Sequence, residues 1–328
     1  IQMTKLVFVG DIHIADNPPL GRVEGYKEQI FTKLSAIRKI CNDQKALPIF
    51  LGDVYHLKRP DRVSHQLTQE MIVGLGIFEE KPLVVPGNHD LGPTGLASLS
   101  RQPLGTLLHA GVINLLTEYM NPGWSDSEVV VIARSYNTER DDDPTYYSPT
   151  EEEVKWAHGR KRIMVAHGSL IPTGATRPYP CVNVETIPGV EKLSLLVSGH
   201  IHEDLGISEV GKVDTLFANL GSVGRVARTQ SNMMRTVKIL MVTVQEEGEI
   251  WLEQIDIPGV LPALEVFEHK DNYEVDSPAQ SDEITRFVDS LGEGLRVEQN
   301  DIPTLLANIS FPNEPVRKRV QELLEEAQ

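Results

Sequence analysis

The chain has 328 residues, 40% hydrophobic and 24% charged, with a formal net charge of −16. That length suits one α/β domain plus an appendage. With no apolar run near the roughly 18 residues of a membrane span and no signal-peptide pattern at its start, it reads as a soluble cytoplasmic protein that does not engage a membrane. The acidic balance is unlike a nucleic-acid-binding surface, although residues 271–328 alone carry 13 acidic and five basic residues, and two cysteines build no disulfide framework.

Met3-Thr4-Lys5 reads as a natural start, and the apolar run at residues 5–9 predicts a buried strand that ends at Gly10-Asp11-Ile12-His13. A helix follows, with Ile30, Leu34, Ile37 and Cys41 on one stripe, so Cys41 packs in the core. Residues 47–51 form the next strand, closed by Gly52-Asp53, and Val54-Tyr55-His56-Leu57-Lys58-Arg59-Pro60 leads into a helix over 61–80. A third strand, 83–85, meets Gly87-Asn88-His89-Asp90. The long stretch 136–153 reads as a solvated insertion, with lining of a substrate groove as the alternative. Strand 162–166 then delivers His167-Gly168, and strand 193–197 delivers Gly199-His200-Ile201-His202. Residues 235–244 and 249–257 alternate around Glu247-Gly248, a hairpin expected to finish a second sheet and to close the domain near Pro258. Beyond Pro262, two amphipathic helices are expected over 282–291 and 315–327.

Each polar cluster lies where a buried strand ends, the edge on which α/β enzymes place their chemistry. A neighbouring glycine lets the chain turn sharply and come close to a bound ion. Carboxylate, imidazole and amide groups without thiolates suit borderline-to-hard divalent ions such as Mn²⁺, Zn²⁺ or Fe²⁺. A carboxylate such as Asp53 can bridge two of them about 3.5–4 Å apart. His65, His109, His158 and His269 lie outside the clusters and read as surface or core-satisfied residues.

The order Gly-Asp-x-His, Gly-Asp-x-x-His, Gly-Asn-His-Asp, His-Gly, Gly-His-x-His resembles the calcineurin-like metallophosphoesterase superfamily over roughly the first two thirds of the chain. The segment from Gly52 to Pro60, with its aromatic-His pair and Arg-Pro, is similar to SbcD-type DNA repair nucleases of bacteria and phages. The resemblance implies an α/β fold, a four-layer α-β-β-α sandwich over 1–258, with a short helical C-terminal appendage over 259–328. It implies one ion held by Asp11, His13, Asp53 and His202 and a second by Asp53, Asn88, His167 and His200. The pair is expected to be Mn²⁺, with Zn²⁺, Fe²⁺ or Mg²⁺ as alternatives. The expected reaction is hydrolysis of DNA phosphodiester bonds by a hydroxide between the ions. His89 assists the leaving group, Asp90 orients His89, His56 positions the scissile phosphate and Arg59 contacts a neighbouring one. A coiled-coil SMC-type ATPase docked on the tail is an implied partner, as is a second copy of the chain paired through helices over 64–79 and 95–108. Two alternatives stay open: a phosphodiesterase of small or cyclic nucleotides, and a non-catalytic scaffold, against which the complete set of candidate ligands speaks.

Overall fold

The computed structural model describes residues 3–57, 59–119, 123–245 and 248–268. In chain order the strands and helices are β1 (Thr4–Val9), α1 (Tyr26–Gln44), β2 (Leu47–Phe50), α2 (His65–Gly76), β3 (Leu83–Val84), α3 (Pro103–His109), β4 (Asn114–Leu115), β5 (Trp124–Ser125), β6 (Val129–Arg134), α4 (Glu151–Trp156), β7 (Lys161–His167), β8 (Leu170–Ile171), β9 (Val182–Asn183), β10 (Leu195–Gly199), β11 (Asp204–Glu209), β12 (Leu216–Leu220), α5 (Gln230–Met234), β13 (Lys238–Val244), β14 (Ile250–Asp256) and α6 (Ala263–Val266).

Two six-stranded sheets carry the fold, in the orders β14-β13-β1-β2-β3-β4 and β11-β12-β10-β7-β6-β5. The strands that deliver the polar clusters run parallel inside their sheets: β1 beside β2 beside β3 in one, β10 beside β7 in the other. Their near-continuous apolar sequences follow from burial on both faces. On β6, for example, Val129, Val131 and Ala133 face the core between the sheets, with Leu6, Phe8, Ile49, Ile163 and Val197. Val130 and Ile132 point the other way, into the core under the outer layer.

Helices α1, α2 and α3 cover the first sheet, and the stripe Ile30, Leu34, Ile37 and Cys41 packs with Val7, Val9, Met71, Leu75 and Leu104. Helix α2 is shorter than the stretch 61–80 expected from sequence. A 3₁₀ turn at Pro60–Arg62 precedes it, and Ser64 caps it by accepting from the Leu67 amide at 2.9 Å. Of the apolar residues Met71, Leu75, Ile77 and Phe78, which could serve pairing or simply pack on the sheet, Met71, Leu75 and Phe78 are buried in that core, while Ile77 is exposed.

The outer layer on the second sheet is mostly irregular chain around the short α4. Residues 136–153 belong to it and are not the expected solvated insertion. Tyr146 and Tyr147 are buried against Met164 and Ala166, and Asp141 accepts from the Ser169 amide at 2.8 Å. The hairpin β13–β14 also departs from expectation. It joins the first sheet, with β13 antiparallel to β1, because Leu240, Val242 and Val244 fill the inter-sheet core beside Leu6 and Phe8.

The compact unit containing all described residues runs Ile1–Asp271. Within it, beyond the domain end expected at 258, Ala263, Val266 and Phe267 pack together against Met233, and Phe267 pairs with Arg22. His269 and the helices expected over 282–291 and 315–327 lie outside the described residues. No helix among the described residues is long and apolar enough to cross a membrane.

Candidate metal centre

Loops at the carboxyl ends of β1, β2, β3, β7 and β10 converge on one place and are laced to each other by backbone hydrogen bonds. The His13 amide donates to Asp53 O at 2.9 Å, the Ile14 amide to Val54 O at 2.9 Å and the His56 amide to Ile14 O at 2.9 Å. The third loop is tied in by the His89 amide, which donates to Asp53 Oδ1 at 2.8 Å. From the second sheet, the His200 amide donates to Asp11 Oδ1 at 3.0 Å. Gly52 and Gly87 allow this density: a Cβ on Gly52 would collide with the His167 ring, and one on Gly87 with the Asp53 carboxylate and amide.

Asp11, His13, Asp53 and His202 present candidate ligand atoms within 4.8 Å of one another, and so do Asp53, His167 and His200. Asn88 joins the second group through Oδ1, which lies 3.1 Å from His167 Nε2 and 2.9 Å from His200 Nδ1. Asp53 belongs to both groups. A third group, His13, His56 and His89, adjoins them. Asp11, His13, Asp53 and His167 are buried, whereas His56, Asn88, His89, His200 and His202 are half-buried. The centre therefore has a closed floor and an open mouth.

The charges on this floor are those of a site built around cations. Burial opposes ionisation of Asp53, but His167, His89 and His13 hold its carboxyl well below the usual range. Burial likewise opposes the charge on His167, yet Asp53 and Asp11 raise that imidazole to about 10. Its Nδ1 donates to Leu51 O at 2.6 Å, so its second proton sits on Nε2, 3.4 Å from Asp53 Oδ2. An ion held by Asp53 and His167 would displace that proton. Asp11 is pushed up to about 6 by burial, with Asp53 adding and His167 opposing. Its Oδ2 is buried without a hydrogen-bond partner. Burial and neighbouring imidazoles push His13 well below its ordinary value, His56 to about 3 and His202 to about 4. Two of these neutral rings place His13 Nε2 2.9 Å from His202 Nε2. An orphaned carboxylate oxygen and crowded imidazole nitrogens fit divalent cations of borderline-to-hard character.

His89 Nδ1 donates to His56 O at 2.5 Å, and the His89 and His56 rings lie parallel, 5.8 Å apart with 11° between planes. Asp90 does not orient His89 as expected. Its Oδ1 accepts from the Val54 amide at 3.0 Å and its Oδ2 from the Gly87 amide at 2.9 Å, so it stitches the second loop to the third. Arg59 is not brought into the cluster. Its exposed guanidinium forks onto Asp61 at 3.1 and 2.6 Å, a residue near enough in sequence to capture it first. His65, His109 and His158 are exposed.

Sequence reasoning missed Tyr26 and Arg235 as residues that shape the site, and placed Tyr136 only within a stretch that could line it. The Tyr136 ring lies 5.4 Å from that of His200 and 6.1 Å from that of His167. Tyr26 donates to His13 O at 2.8 Å. Arg235 donates to Ser222 O, and Ser222 Oγ donates to Asp11 O at 2.9 Å. No motif marks them, because each acts from outside the clusters through a tertiary contact.

A search of curated protein sequences found no match. Among solved structures, the chain is similar to NAD nucleotidase of Haemophilus influenzae at 13% identity, with 78% of this chain and 50% of that one covered and a TM-score of 0.43. It is similar to a 5'-nucleotidase precursor of Thermus thermophilus at 15% identity, covering 80% and 56% with a TM-score of 0.44. It is also similar to TT1561 of the same organism at 9% identity, covering 77% and 99% with a TM-score of 0.46. The chain thus spans about half the length of the two nucleotidases. The family model of calcineurin-like phosphoesterases matches residues 4–204, the stretch that carries all the converging loops, and the chain belongs to that family of metal-dependent phosphoesterases.

Proposed function

We propose that this phosphoesterase hydrolyses DNA phosphodiester bonds, as an SbcD-like exo- or endonuclease using two divalent ions, Mn²⁺ in preference. Asp11, His13, Asp53 and His202 would hold one ion and Asp53, Asn88, His167 and His200 the other. When bound, the ions supply Lewis-acid neutralisation of phosphoryl charge and an activated water.

The observation that carries the reading is the placement of His56, half-buried at the open mouth and parallel to His89. The bond from His89 Nδ1 to His56 O fixes the His89 tautomer and leaves Nε2 to exchange a proton with the leaving oxygen. A phosphodiester extends on both sides of phosphorus, and His56 gives the second side a hydrogen-bonding partner next to that proton donor. The acidic chain offers a weak electrostatic grip on a long duplex, so hold on DNA is assigned to a partner, a coiled-coil ATPase at the tail.

The test is cleavage of end-labelled linear and circular DNA with Mn²⁺, beside a small phosphodiester and a His89→Ala control. Loss of DNA that disappears in the control supports a nuclease. Turnover of the small ester alone, with short single-stranded DNA at saturating concentration also left uncut so that no partner's grip is needed, favours the second reading, a phosphodiesterase of small or cyclic nucleotides. The net charge of −16 and the engagement of Arg59 by Asp61 speak for that alternative.

A further inference from the structure

Behind the metal centre, on the far side of the turn at residues 221–225, three cationic side chains are buried with no carboxylate partner among the described residues. Arg22 and Arg225 are each 3% exposed and Lys33 is 4% exposed. Arg22 donates to Gly224 O, Arg225 O and Gln29 Oε1 at 3.3, 2.5 and 2.5 Å. Lys33 donates to Val223 O at 2.8 Å, and Arg225 to Leu261 O at 3.1 Å and Arg235 O at 2.8 Å. Every one of these acceptors is a neutral oxygen. The Nε atoms of Arg22 and of Arg225 are buried with no acceptor among the described residues. Buried charges are ordinarily paired, since an uncompensated ion in the interior costs several kcal/mol.

The three cations line one cleft of about 280 Å³, together with Gln29 and Thr32 and, at its exposed rim, Glu28. That volume is at the small end of ligand pockets. Burial, with Arg22, Arg225 and Arg235 around it, holds the Lys33 ammonium well below the lysine range, the behaviour of a cation that lacks its counter-ion. Guanidinium forks with an ammonium beside them suit a multiply charged tetrahedral oxyanion.

We propose that this cleft is a binding site for a phosphate-class anion, separate from the metal centre and formed by Arg22, Lys33 and Arg225. It shares a wall with that centre. The Gly224 amide and Ser222 Oγ both donate to Asp11 O at 2.9 Å, so the turn clamped by the cleft on one side supports Asp11 on the other.

The test is equilibrium dialysis of inorganic phosphate against the full chain in the presence of a chelator, which leaves the metal centre no ion to hold phosphate, at constant ionic strength. One saturable phosphate per chain is expected. Arg22→Gln weakens it at least tenfold. Glu28→Gln, at the exposed rim and safe for folding, tightens it about two- to five-fold by removing a repelling charge. Competition by a nucleoside monophosphate that is tighter than by phosphate itself identifies a nucleotide as the source of the anion, and equal or weaker competition identifies free phosphate. Absence of saturable binding, or binding that Glu28→Gln leaves unchanged, overturns the proposal, whether or not Arg22→Gln folds.

Discussion

Replacing Asp90 by alanine separates two roles for the same carboxylate. In the structure its oxygens accept from the buried amides of Val54 and Gly87. Removing them orphans two N–H groups, at about 1–3 kcal/mol each, or about 2–6 kcal/mol together. The loss is reduced because burial, with Asp53 nearby, already disfavours this carboxylate and raises it to about 7, so a net cost near the lower half of that range is expected. Asp90→Asn keeps one acceptor and turns an amide donor toward the other N–H, and should cost roughly half as much. Urea denaturation of the chelated protein is the assay, since bound ions would add their own stabilisation. Activity on a small phosphodiester should fall because the loop carrying Asn88 and His89 loosens, while the shape of the pH–rate profile stays the same. If Asp90→Ala leaves stability unchanged but shifts the pH profile, the carboxylate acts through His89 and the stitching role is wrong.

Replacing His89 by alanine should lower turnover by roughly 10²–10⁴-fold with metal content intact, as loss of a general acid does; an unchanged rate removes it from that role. Asp53→Asn should strip both ions together, measured as metal per chain after dialysis, and retention of two would refute its shared position. Without ions, stability should peak near pH 6.5. Below that value the depressed imidazoles of His13, His56 and His202 resist protonation, so stability is lost as pH falls, a loss partly offset because Asp11 and Asp90, raised from 3.8 to about 6 and about 7, hold their protons more tightly in the fold over that same range; above it, His167, raised to about 10, loses a proton that the fold binds tightly, and stability falls again. Mn²⁺ should flatten the alkaline limb by replacing the His167 Nε2 proton, and parallel curves with and without Mn²⁺ would contradict that placement.

The converging clusters were legible because each couples a buried strand to a glycine and an ionisable residue within a few positions, and parallel neighbours bring such strand ends to one edge. What lay beyond local pattern was partnership. Asp90 follows His89 in sequence, yet its oxygens reach Val54 and Gly87, because the tight Gly87 turn aims it back into its own loop. Alternation revealed β13 and β14 but not their sheet, which was decided by where Leu240, Val242 and Val244 find a core. The two tyrosines at 146 and 147 sit in a stretch rich in Asp, Pro and Thr, a composition that reads as solvated. Only the uncovered face of the second sheet explains their burial.

Half of the described non-glycine residues that break the local backbone rule lie at the centre. Six non-glycine residues among those described have positive φ, and three of them are His13 at 51°, Asp53 at 49° and His200 at 84°. Such conformations cost on the order of 1–3 kcal/mol each and persist only where surroundings over-determine them. Here the surroundings are identifiable. His13 is held by its amide bond to Asp53 O and by Tyr26 on its own carbonyl, Asp53 by the His89 amide on Oδ1, and His200 by its amide bond to Asp11 Oδ1. Each strained residue is thus fixed through another candidate ligand or through a residue touching one. The set is therefore held as a unit, and a substitution at one position should be felt as altered metal affinity at both ion positions.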